Sequence, residues 1–455
     1  MSPRPRGIAA PFITAGIRRP FAVAVNRLDL LITPQRLRLY PLFLIIASVL
    51  ALTLSSVARL TAPSVLGAWL PDYLAHWTGG KLLLSADTAA LYDPGVQQGL
   101  QNATLGGTSA LSWFVSLPVV AVFYAPLAML PYAWSGLVWF LVSTSLLVWS
   151  VLALKDLAPA LMARRKMGVV LVIMASPVVF ELVGGGQDSA FILAVWLVGI
   201  RLVGSRHDIW AGAVFGMGSA KPQLIVLVPL TLLVTRNFRA LASFAAVCTL
   251  LAGISLGVFG VEGLQHWLSA LSSPLYMEQV QNGQAWKMVG LPSLVQAFLP
   301  PALQPWGTPL LTWLPLPLAA LFLVIWIRRN RRAQPSPQAV WIATLGTTVV
   351  FSPHLAIYDA ILFVPVIMFL LERHSTPVLR VSAAAAFALL YLGPVFHVAV
   401  SSLSWPLSII QAPWSALPLT LIWFESLRSV GTPSAASLGL MPSGGEPKPL
   451  GRPRE

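Results

Sequence analysis

Charged and polar residues are scarce in this chain, and those that could do chemistry fall in a few short breaks between apolar runs. The first break is Pro71-Asp72-Tyr73-Leu74-Ala75-His76-Trp77-Thr78-Gly79-Gly80-Lys81, followed by Ser85-Ala86-Asp87 and Leu91-Tyr92-Asp93-Pro94. The others are Gly184-Gly185-Gly186-Gln187-Asp188-Ser189, Ser219-Ala220-Lys221-Pro222-Gln223, and Phe351-Ser352-Pro353-His354 with Tyr358-Asp359. On a helix, Asp72 and His76 share a face one turn apart, with Tyr73 and Trp77 as interfacial anchors. Asp72 admits two readings: a helix cap at a membrane surface, or a carboxylate held there as general base for a hydroxyl. Lys221 lies between two short apolar segments, so its ammonium sits below the surface and needs an anionic partner. The glycine and proline turns are also ordinary packing devices, and taken singly none identifies an activity.

Apolar helices must position these residues. Of the 455 residues 56% are hydrophobic and 10% charged, whereas a soluble domain carries roughly 25% charged residues. Apolar runs of about 15 to 22 residues recur from Tyr40 to Phe424, each close to the length that crosses a bilayer core of about 30 Å. The expected fold class is all-α, a polytopic transmembrane helical bundle with about 12 membrane segments. Because the runs are continuous rather than alternating, a transmembrane β-barrel is excluded.

The basic residues orient the chain. Of the 29 Lys and Arg, 25 fall before the first span, in one set of alternate breaks, or in the tail; Arg59, Lys81, Lys221 and Lys287 remain for the other side. The formal charge of +14 then divides into +18 on the basic, cytoplasmic side and −4 on the other. The basicity is a topology signal and a contact with anionic lipid, and no nucleic-acid partner is expected. The organisation expected is a basic cytoplasmic segment 1–39, a transmembrane domain 40–424 with external loops at about 62–112 and 262–307, and a Pro/Gly/Ser-rich disordered cytoplasmic tail 425–455. The first span, about 40–61, reads as an uncleaved anchor in the inner (plasma) membrane. Parity allows one crossing between the first external loop and Arg164-Arg165-Lys166, yet two apolar segments, 113–130 and 134–154, lie there. The segment 113–130, interrupted by Pro118 and Pro126, is the one expected to be re-entrant or interfacial. Cys248 stands alone, so neither a disulfide nor a cysteine metal site is expected.

The ordered set of Asp-aromatic-x-x-x-Trp-x-x-Gly, Leu-Tyr-Asp, Gly-Gln-Asp, Lys-Pro-Gln and Ser-Pro-His-x-x-x-Tyr-Asp resembles glycosyltransferase family 87. Its members are polyprenol-phosphate-mannose-dependent α-mannosyltransferase-like membrane proteins. The resemblance runs from about Tyr40 to Phe424. It implies the multi-helix type C glycosyltransferase fold, a polyprenyl-phosphate sugar donor, and catalysis on the non-cytoplasmic face by an Asp of the first external loop. By that resemblance Asp72 stands where the base is, and Lys221 and His354 where donor-phosphate contacts are. The chain departs from the family in His76 and Gly79, where an aromatic and an Ala are usual, and in Asp188, where an Asn is. Ser116-Leu117-Pro118 also replaces a Tyr-Pro-Pro-like stretch.

A lipid phosphate is a competent leaving group, so such a transfer needs a base for the acceptor hydroxyl and cations for the departing phosphate, with no strong general acid. Asp72 is the candidate base. Lys221 and His354 are the candidate donor-phosphate contacts, together with the other outer cations Arg59, Lys81 or Lys287. His76, Trp77, Gln187, Asp188, Gln223, Tyr358 and Asp359 are the candidate substrate-binding residues, and Asp87 and Asp93 are further acids able to hold sugar hydroxyls. No compact metal-ligand spacing appears, so neither metal nor cofactor is expected. The expected function is inverting transfer of a hexose, mannose by the resemblance, from polyprenyl phosphate to an envelope glycan or lipid. The rival is a multi-pass transporter or lipid flippase, which would place ionisable groups near the midplane and show internal repeats. In this chain the acids gather toward one face.

Overall fold

The computed structural model describes residues 15–85, 88–107, 111–276 and 285–428. Asp87 and the expected disordered tail beyond 428 lie outside them. Every regular element is helical, and one isolated antiparallel bridge, Met288 to Ala356, is the other backbone pairing to note. Proline starts many of the helices, because its fixed φ suits the first turn and its missing N–H is one that the turn leaves unbonded. Four times the preceding residue is also the cap: Asp93, Ser176, Ser336 and Thr376 accept from the backbone N–H three residues on, at 2.9 to 3.3 Å.

Five helices are long and apolar enough to cross a bilayer alone: Arg36–Thr61, Tyr132–Asp156, Phe238–Leu271, Pro301–Asn330 and Pro377–Val400. The pair Pro159–Met174 and Pro177–Gly185, bent by 57°, supplies a sixth if taken as one span. The remaining apolar helices are shorter, among them Ser189–Gly204 and Pro337–Phe351. Against the expected 12 or so segments, five helices, or six with the bent pair, are long enough to cross; the other apolar helices are shorter, and burial explains why. Ser189–Gly204 and Pro337–Phe351 are buried along most of their length, whereas the hydrophobic stretch of Arg36–Thr61 is almost wholly exposed. A helix wrapped in protein can stop short inside the apolar layer, since its end groups find partners there; a lipid-facing helix cannot.

The segment 113–130 contains the helix Pro118–Ala128, which spans roughly 16 Å and is too short to cross. It lies along the helix Pro71–Leu84, where Gly80 lets the two backbones meet: a Cβ there would stand 2.8 Å from the Tyr124 backbone. The chain then turns back, Trp77 donating to the Leu130 carbonyl at 3.2 Å and Tyr132 to that of Leu70 at 3.0 Å. Together with Pro94–Leu105 these helices form a cap with its own apolar core. The helix Phe238–Leu271 breaks at Gly260, in the left-handed region at φ +66°, and its last turns join the cap through Trp267, which donates to the Val115 carbonyl. It thus runs ten residues beyond the expected loop boundary near 262. The last helix, Ala416–Arg428, likewise passes the expected boundary at 424, because buried Leu427 accepts from Trp326.

The arginine-rich breaks meet at one end of the bundle. Arg380 binds Asp29 at 2.7 Å, Arg201 binds Asp156 at 2.9 Å, and Asn237 binds Asp208 at 2.8 Å. Glu372 accepts from the N–H groups of Ala160 and Leu161, and Arg373 reaches Ser336. From this end the helices Ser189–Gly204, Asp208–Met217 and Pro337–Phe351 lead to the glycine turn, the Lys221 break and the Ser352 break, which lie at their other ends.

Gly212 of the helix Asp208–Met217 sits against the Ala240 backbone, leaving no room for a Cβ. Gly212→Val should destabilise the fold by about 1–3 kcal/mol or more through overpacking. Gly204→Ala, facing open space, should leave stability unchanged. Thermal unfolding of the two variants in detergent checks this.

Candidate active site

At the polar end, three separate breaks converge on one buried ammonium. Lys221 Nζ lies 2.6 Å from Asp188 Oδ1, 3.2 Å from Asp359 Oδ1 and 3.3 Å from Ser189 Oγ. Ser189 donates in turn to Asp359 at 2.6 Å, and the Tyr358 ring lies 5.3 Å from the ammonium. Asp188 ends the glycine turn and precedes the helix Ser189–Gly204, and Lys221 joins two short 3₁₀ turns. Asp359 stands in the turn Ile357–Leu362. Each is delivered by the end of a short helix, so the early stops described above are what bring the three together.

Asp72 occupies the first turn of Pro71–Leu84, entered from Leu70 in the left-handed region at φ +54°. That conformation costs about 1–2 kcal/mol for a residue with a side chain; burial of Leu70 and two hydrogen bonds to its carbonyl, from Leu74 and Tyr132, hold it. The Asp72 carboxylate rests on the glycine turn, where a Cβ on Gly185 would collide with its Oδ2. Gly186, at φ +74°, passes close to Tyr73, where a Cβ would stand 2.8 Å from that of the tyrosine. A cavity of about 200 Å³ opens beside Asp72, and its charged walls are Arg59, Asp72, Glu181 and Lys287. Leu52, Ser55 and Ser56 of Arg36–Thr61 line it together with Phe180 and Gly184 of the bent pair. Lys287 is held there by the bridge from Met288 to Ala356 and by the Val289 bond to the Leu355 carbonyl at 2.8 Å.

An aromatic wall backs the site. Tyr73 stacks on Trp139 with ring centres 5.8 Å apart and bonds Ser135, while Trp139 donates to the Gly186 carbonyl at 2.7 Å. His76 lies flat on Tyr124 at 4.5 Å, within the electrostatic reach of Asp188, Lys221 and Asp72. Burial pushes its imidazole below the ordinary histidine range. Its Nδ1, like that of His354 and the Ser352 hydroxyl, is a buried polar atom without a hydrogen-bond partner. His354 in turn is within electrostatic reach of Asp359 and Lys221.

The structure thus brings together Asp72, His76, Asp188, Lys221, His354, Tyr358 and Asp359, and puts Arg59 on the adjoining cavity. Lys81 is elsewhere: nine residues along its helix from Asp72, it reaches over the Trp77 ring at 6.0 Å. Trp77 packs edge-on against Tyr132 within the cap rather than facing the cavity. Gln187 is buried, with its carbonyl taken by Ser143, and Gln223 is half-buried in the turn Pro222–Leu224. Asp93 caps its own helix. Sequence reasoning passed over Glu181 as a site residue, although an acid in an apolar helix, one turn before Gly185, was the signal for it.

Removing the Lys221 charge leaves two buried carboxylates unpaired. Lys221→Met should therefore destabilise the protein by about 3–5 kcal/mol, and adding Asp188→Asn with Asp359→Asn should recover most of that loss. Unfolding temperatures in detergent measure both.

The profile of glycosyltransferase family 87 matches residues 114–353, more than half of the chain. The matched stretch contains the glycine turn, Asp188, Lys221 and Ser352-Pro353, with Asp72 before it and His354, Tyr358 and Asp359 beyond. No curated protein and no solved structure matches the chain. The match and the membrane-embedded helical bundle agree with each other: the chain belongs to glycosyltransferase family 87, and it is a glycosyltransferase.

Proposed function

We propose that this enzyme transfers a hexose, with mannose as the first candidate, from a polyprenyl phosphate to an envelope glycan or lipid acceptor, with Asp72 as general base. One observation carries the reading: the Asp72 carboxylate forms a wall of a cavity that also holds cations and borders a lipid-facing helix. The Asp72 carboxylate takes the proton of an acceptor hydroxyl as that oxygen attacks the anomeric carbon. The carbon–oxygen bond to the phosphate breaks with its electron pair on the phosphate, which leaves as polyprenyl phosphate. A single displacement of this kind inverts the anomeric centre. The departing group gains negative charge, which cations fixed at the cavity offset.

An amphiphilic donor suits these walls. Leu52 and Phe180 offer an apolar side toward the exposed flank of Arg36–Thr61, and the polar cluster offers the other. The resemblance noted from the motifs adds the type C fold and a site on the non-cytoplasmic face, and the charge map supports the same sidedness.

Asp72→Asn should lower transfer by about 100- to 10,000-fold while leaving the unfolding temperature unchanged. Turnover of a radiolabelled polyprenyl-phosphate hexose by the purified protein measures it, and near-normal turnover would sink the assignment. For sidedness, single cysteines at exposed Leu303 and Arg206 in a Cys248→Ser background should label oppositely. Residue 303 should react with an impermeant maleimide in intact cells, and residue 206 only after permeabilisation.

A further inference from the structure

The cations near Asp72 are of two kinds. Lys221 holds two carboxylates within 3.2 Å, so its charge is more than balanced where it stands. Arg59 donates to the Ala68 carbonyl at 3.0 Å, and Lys287 lies 5.3 Å over the Trp286 ring; neither forms an ion pair among the described residues. A phosphate approaching Lys221 would meet Asp188 and Asp359 at the same range and be repelled by both. In the cavity, Arg59 and Lys287 face Asp72 and Glu181, so charge there is evenly divided until a ligand arrives.

The buried cluster has a different chemistry, one suited to neutral hydroxyls. Carboxylates fixed by a lysine accept from hydroxyl donors through their remaining lone pairs. Within electrostatic reach of the cluster lie two ring nitrogens without a hydrogen-bond partner, His76 Nδ1 and His354 Nδ1. Unpaired buried polar groups are costly, and most are satisfied when the site is complete. Two of them beside one ion-paired cluster point to a polyol ligand that bonds them.

We infer that the site is divided: Arg59 and Lys287 seat the phosphate of the donor, while His76 and His354, with the Asp188–Lys221–Asp359 cluster, read the hydroxyls of its sugar. The inference rests on the donor class proposed above, and it reassigns Lys221 and His354 from phosphate to sugar. Lys221 acts as a positioning residue that holds two acceptors in place. Asp72 lies between the two halves, against the cavity on one side and within electrostatic reach of His76 and Tyr358 on the other. The anomeric carbon of a donor bound in this way, which joins sugar to phosphate, lies at the same junction.

The test is binding of two probes to the full-length protein in detergent: a polyprenyl phosphate without sugar, and the same lipid carrying mannose. Arg59→Gln and Lys287→Gln should each weaken both probes by about tenfold or more, the loss expected of a charge-assisted hydrogen bond. His76→Phe, which keeps the stack on Tyr124, and His354→Phe should weaken only the mannosylated lipid and leave the bare one within about twofold. Equal weakening of both probes by either histidine variant would overturn the division, as would unchanged affinity for the bare lipid in both cation variants. If the wild type binds neither probe, the donor class itself fails, a result distinct from binding without selectivity among the variants.

Discussion

Much of this structure depends on a buried lysine held by two aspartates from different parts of the chain. Taking one ion out of water costs several kcal/mol even after relaxation, and three are withdrawn here. That cost is met only if all three arrive together, at hydrogen-bonding distance, with Ser189 completing the set. The cluster therefore ties the glycine turn, the Lys221 turn and the Ile357–Leu362 turn into one unit, and with them the helices they end. It adds little net stability by itself, since an apolar replacement of similar volume is often as good. What it adds is uniqueness: any packing that separates the three strands three charges in apolar surroundings.

The rest of the bundle accommodates that constraint. Short helices are tolerable only inside a sheath, and the long exposed helices supply it, turning apolar side chains outward toward lipid. The cap closes the polar end by a different device. Its helices approach backbone to backbone at Gly80, and its aromatic rings interlock from Trp77 through Tyr132 and Tyr73 to Trp139. Tyr and Trp serve well there because each fills volume and still finds an acceptor for its polar tip, as Trp139 does at Gly186 and Tyr132 at Leu70.

Much of this was legible beforehand, for identifiable reasons. Composition alone implied a helical membrane protein, because 56% apolar residues in continuous runs have no soluble solution. The need of Lys221 for an anionic partner followed from the short segments around it, but the identity of the partners did not. Asp188 and Asp359 lie 33 and 138 residues away, and only the three-dimensional path brings them there. Lys81 differs for a related reason: an expected side of the membrane constrains depth but not direction, and nine residues of helix carry it well away from Asp72. Glu181 was passed over because it was counted only as one acid among several. Its place one turn before the glycine contact with Asp72 gives it a wall of the cavity.

The position of Asp72 follows from the same economy of contacts. A carboxylate at a helix start ordinarily caps its own helix, as Asp93 does. Asp72 instead stands inside the first turn, and the cap position before Pro71 belongs to Leu70, which has no side-chain acceptor. The strained Leu70 turns the chain so that the carboxylate meets bare glycine backbone, with no side chain between it and the cavity. Strain of that kind persists when surrounding packing over-determines it, and the hydroxyl of Tyr132 and the wall behind it do so here. A merely structural acid would gain from the closest donor available. This one closes no helix end and faces the cavity instead.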